Sequence, residues 1–126
     1  MNEALQNLIE ALREELKQYG EMLALLDRQR QFVRLPQGGD LPPSAAEVEE
    51  QAEAIRVARC EREQRFRDMA RTFQPVEVNG FDDLIALLPR EYRPLLEALV
   101  EENKALLQRI QKRARKEQSL PTASRT

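Results

Sequence analysis

The sequence predicts an all-α protein: a long antiparallel helical hairpin, then a short helix, then a third long helix, packed as a bundle or coiled-coil-like assembly. Three observations carry the prediction. Aromatic residues are only 5% of the chain and glycine is sparse, so Leu, Glu, Arg, Gln and Ala set a composition that favours long helices over sheet. Apolar residues recur at alternating spacings of four and three through the first 26 residues, the period of a helical seam. A stretch rich in proline and glycine then separates this periodic segment from a second one.

The first helix is expected from about Asn2 to Arg34, a length of about 50 Å at the α-helical rise. Its seam is Leu5, Ile9, Leu12, Leu16, Tyr19, Leu23 and Leu26, with Arg30 and Val33 continuing the phase and Leu8 and Met22 widening the stripe. "LPQGGDLPPS", residues 35–44, holds three prolines and two glycines and cannot continue a helix. "SAAE" follows as a capping box, with Ser44 as N-cap and Glu47 three residues on. The second helix is expected over 45–73, with Val48, Ala52, Ile55, Phe66, Met69 and Phe73 as its stripe. Arg59 and Arg62 interrupt that stripe, so the seam there either faces solvent or meets acids such as Glu15.

Charge zoning supports a fold-back. Residues 1–26 carry five acids and two bases, whereas residues 54–73 carry three acids and six bases. Near the break, residues 27–34 are net positive and residues 40–53 have five acids and no base. An antiparallel return brings opposite signs together at both ends, although helix dipoles favour an acid-first, base-last order in any helix. "FDDLIALLP" then supplies Phe81, Leu84, Ile85, Leu87 and Leu88 for burial, with Asp82 or a neighbour as cap and Pro89 as terminator. The last helix opens near Arg90–Pro94, where proline suits a first turn. The resulting division is a hairpin over 1–73 with its loop at 35–44, a linker and short apolar helix over 74–89, a C-terminal helix over 90–118, and a disordered tail over 119–126.

Composition excludes several chemistries. With no His and one Cys, imidazole catalysis and Cys/His zinc sites are ruled out, and Cys60 has no partner for an intramolecular disulfide. Adjacent acids such as Glu14/Glu15 and Glu101/Glu102 diverge around a helix, and "QGGD" lacks the Lys-Ser/Thr of a phosphate loop. No enzyme activity and no cofactor is expected. No apolar run approaches a membrane span and the N-terminus lacks a signal-peptide pattern, which predicts a cytoplasmic protein. Lys112, Arg113, Arg115 and Lys116 are the best candidates for nucleic acid, but no aromatics interleave with them and the chain's net charge is −2. Nucleic acid is therefore not the expected partner.

The last helix carries the functional question. Leu96, Leu99, Leu106 and Ile110 alternate between a and d positions of a heptad, and Asn103 takes the a position between them. A polar a position fixes register and partner number at a cost in stability. Alternatively, it orients a partner helix laid along the apolar face. Two hairpin helices each bury one stripe, so the last helix completes a bundle, meets another copy, or docks on a partner. The candidate binding residues are Leu95, Leu99, Asn103, Leu106, Leu107 and Ile110, and the candidate partner is a protein presenting an amphipathic helix.

The segments "LIEALREELKQYGEMLALLDRQR" and "LIALLPREYRPLLEALVEENKALLQRI", in this order with a return between them, resemble the FlgN-like flagellar export chaperones over roughly residues 5–118. The family's final helix carries an Asn followed by a Leu-Leu pair, matched here by Asn103, Leu106 and Leu107. The resemblance implies a non-enzymatic cytoplasmic chaperone that holds hook-associated proteins of the hook–filament junction for type III export. It also implies that cargo is contacted through the C-terminal helix, at Leu99, Asn103, Leu106, Leu107 and Ile110. The loop rich in proline and glycine, and the loss of the apolar stripe after Ile110, depart from the family pattern. The competing readings are a structural coiled coil or homo-oligomer closed by the same leucines, and nucleic-acid binding through Lys112–Lys116.

Overall fold

The computed structural model describes the backbone of residues 2–34 and 45–125, and the side chains of residues 3–30 and 45–115. Four α-helices follow one another: α1 (Asn2–Arg34), α2 (Ala45–Arg71), α3 (Phe81–Leu87) and, after a 3₁₀ turn at Arg90–Tyr92, α4 (Arg93–Arg125). The all-α expectation holds. The expected loop 35–44 and the Ser44 cap lie outside the described residues, as do the side chains of the expected tail 119–126. α4 runs helical to Arg125.

α1 is the central element, flanked by α2 and α4. Arg62 meets Glu15, Gln51 meets Gln18, and Met69 joins the cluster around Leu5 and Leu8, so α2 runs antiparallel to α1. Asn103 bonds to Leu12 O and Arg113 to Leu23 O, so α4 runs parallel to α1. The chain thus goes up, down and up again, with α3 and the 3₁₀ turn crossing at the N-terminal end of α1.

That end holds the main core. Leu5, Leu8, Ile9 and Leu12 of α1 pack with Met69 of α2, Leu84, Ile85 and Leu88 around α3, and Leu96, Leu99 and Val100 of α4. Leu8, placed at the edge of the expected stripe, is fully buried, while Leu16, placed within it, is only half-buried. A helix flanked on two sides needs a stripe wider than the a/d seam, which brings Leu8 and Ala11 inside. On α2, Ala52 is exposed and Ala58 is buried. The small side chain of Ala58 suits a close approach to α1.

Helix ends are satisfied in two different ways. α2 stops at Arg71 rather than Phe73, because Thr72, Phe73 and Gln74 donate to carbonyls three residues back, tightening the last turn. Phe73 still packs against the core. At α3 the N-cap position is Gly80, and of Asp82 and its neighbours it is Asp83 that serves this helix start, its carboxylate accepting the Asn79 N–H at 3.0 Å. At the other end of α3 the Arg93 guanidinium donates to Leu88 O and Ala86 O at 3.0 and 2.9 Å, covering carbonyls the short helix cannot use. Leu87 turns away from Leu84, Ile85 and Leu88 and is exposed, unlike the expectation that all would be buried. The Phe66 and Phe81 rings meet at 4.9 Å and 60°, tying α2 to α3 in the tilted geometry aromatic pairs prefer.

Candidate functional site

The six candidate residues divide into two groups along α4. Leu99 is buried in the core and Leu95 packs against its edge. Asn103 is 7% exposed, and its Nδ2 donates to Leu12 O at 3.2 Å and to Leu99 O at 2.9 Å. For this first group the covering surface is the chain's own core, with α1 accepting the Asn103 bond. Leu106, Leu107 and Ile110, one and two turns further, are only half-buried. Asn103 therefore stands where the fully buried stretch of α4 ends and its half-buried apolar face begins, while α1 alongside stays buried through Met22, Leu23 and Leu26.

A polar cluster on α1 and α2 lies at the same level. The Glu15 carboxylate, 2% exposed, accepts from Arg62 Nε at 2.9 Å, Arg62 Nη2 at 3.2 Å and the Tyr19 hydroxyl at 2.6 Å. A buried carboxylate is tolerable only when so many donors converge on it. Arg62 is thus the arginine that interrupts the α2 stripe to meet Glu15, whereas Arg59 is exposed. Burial, and the hydrogen bond to Glu15, push the Tyr19 phenol up; the same carboxylate holds the Arg62 guanidinium above its ordinary value. The Tyr19–Glu15 bond was legible in principle as a pair four residues apart on one helix face.

Between these residues a cleft of about 140 Å³ opens over α1. Leu12, Val100, Leu107 and Phe81 form its apolar wall, and Glu15, Tyr19, Arg62, Asn103 and Lys104 its polar one. Of the candidate residues, Asn103 and Leu107 meet here. Leu99 lies in the core below with Leu95 at its edge, and Leu106 and Ile110 lie on the face above.

The basic stretch is partly engaged. Arg113 pairs with Asp27 and donates to Leu23 O at 3.4 Å, pinning this part of α4 to α1. Lys112 and Arg115 are exposed, and the Lys116 side chain lies outside the described residues. Among the described residues, no helix is long and apolar enough to cross a membrane.

A family model described as "FlgN protein" matches residues 1–124. Comparisons with curated proteins and with solved structures give no match. The match spans all four helices and includes the α4 segment that carries Asn103 and the Leu106–Leu107 pair. This chain belongs to the FlgN family, whose role is that of a flagellar export chaperone.

Proposed function

We propose that the protein is a non-enzymatic cytoplasmic chaperone for hook–filament junction proteins, and that it holds an amphipathic helix of its cargo against the upper face of α4. Leu106, Leu107 and Ile110 are the anchors, with Asn103 at the lower edge of that face, and Leu99 in the core and Leu95 at its margin beneath. The observation that carries the reading is the half-burial of these three apolar side chains directly beyond Asn103, in a chain of a chaperone family. The mechanism is masking. Apolar area removed from water contributes about 25 cal/mol per Å², so a few leucine-sized anchors hold a helix reversibly. Cargo stays unaggregated while bound and is released without a chemical step.

The test is the pair Leu106→Asp and Leu107→Asp, with binding to a purified hook–filament junction protein measured by calorimetry and helicity by circular dichroism. The expected result is unchanged helix content with affinity reduced by about 100-fold or more, the scale for losing interface anchors. Loss of helicity in both variants would assign the leucines to the protein's own core. Unchanged affinity would remove the site.

A further inference from the structure

Asn103 holds a hydrogen-bonding atom that the fold does not use. Its Nδ2 is spent on two backbone carbonyls, and its Oδ1 is buried with no hydrogen-bond partner among the described residues. The neighbouring carboxylate and phenol are already committed to each other and to Arg62. A buried acceptor left unpaired is costly, and proteins retain few of them. An apolar side chain at this heptad position would avoid the cost and extend the core upward, so the amide is placed against stability.

We propose that the cleft beside Asn103 seats one primary amide, the side chain of an asparagine or glutamine on the cargo's amphipathic helix, with its N–H donating to Asn103 Oδ1. This rests on the chaperone reading above and names what that face recognises. The chemistry of the cleft selects the amide. Asn103 Oδ1 requires a donor, which excludes a carboxylate from the cargo. Arg62 and Lys104 outnumber Glu15 among the lining charges, which disfavours a cation. A primary amide supplies both the donor for Asn103 and a carbonyl that can face Lys104. A volume of about 140 Å³ takes a single side chain, and Leu12, Val100 and Leu107 suit its methylenes. Oδ1 is shielded in the free protein, so seating needs a rotamer change at the half-buried Leu107 or the exposed Lys104, a change common at interfaces.

The experiment uses the full-length chaperone and a purified hook–filament junction protein. Each Asn and Gln on the bound cargo helix is replaced by Ala and by its acid counterpart, and dissociation constants are measured against wild-type chaperone and Asn103→Leu. One amide is expected to stand out, its loss weakening binding by about tenfold. The acid is expected to do at least as badly as Ala. Against Asn103→Leu the same cargo substitutions should have no further effect, while the thermal midpoint of that variant is unchanged or higher. If Asn103→Leu does not fold, the cargo series against the wild-type chaperone decides alone: tolerance of every acid substitution overturns the proposal. If no amide matters while Leu106→Asp still abolishes binding, the amide seat is wrong and the chaperone site stands. If the junction protein does not bind the wild-type chaperone, both fall.

Discussion

Tyr19 shows how one side chain links the core to its polar layer. It is 1% exposed and donates to Glu15, so ionising it would place a second negative charge beside a buried carboxylate. Its folded value is therefore raised above the ordinary value of about 10. The sign follows directly: the unfolded chain releases this proton first, so the phenol's contribution to stability is complete below about pH 10 and is lost as pH rises toward the folded value. Chemical denaturation between neutral pH and pH 11 should show the wild type losing stability above pH 10 and Tyr19→Phe losing less over the same range. Parallel curves would mean that the phenol is not held protonated by the fold. Asn103 is the other decisive residue. Its place in the heptad was readable from sequence, but the bond to Leu12 O and the unpaired oxygen were not, because they depend on which carbonyl of α1 lies opposite.

The elements differ in how much each contact holds. Near the start of α1, Leu8 is 0% exposed in a close-packed cluster, and Leu8→Ala should cost about 2–5 kcal/mol. Further along, Arg113 ties α4 to Asp27 at a site where both partners are partly exposed, so Arg113→Ala should cost under about 1 kcal/mol. Urea unfolding of the two variants checks the contrast, and equal losses would show that the upper half of α4 is as firmly packed as the lower. Element by element, the helices were legible because a seven-residue apolar repeat and proline-rich breaks are local signals. The end of α2, the cap of α3 and the exposure of Leu87 were not. They follow from backbone carbonyls and neighbours that only the packed arrangement brings close. The meeting of Arg62 with Glu15 lay between the two: charge made it one of two alternatives, and geometry chose.

At the scale of the molecule, burial divides α4 in two, while α1 stays buried along both halves. The cluster from Leu5 to Leu12, with α3 and the start of α4, anchors one end, and beyond Asn103 the apolar face of α4 is only half covered. The sequence showed that α4 has more apolar surface than a lone helix can leave in water. It did not show that α1 runs alongside α4 as far as Arg113, because the parallel register of α1 and α4 is a property of the whole fold. A chaperone needs this division: a core that persists without cargo and a face whose apolar groups remain within reach. Hydrogen exchange, followed by mass spectrometry with and without a hook–filament junction protein, tests it most directly. Slow exchange is expected at residues 5–12 and 84–100 in both states, with added protection on cargo binding concentrated at residues 104–112. Protection that leaves residues 104–112 unchanged and falls elsewhere would contradict it.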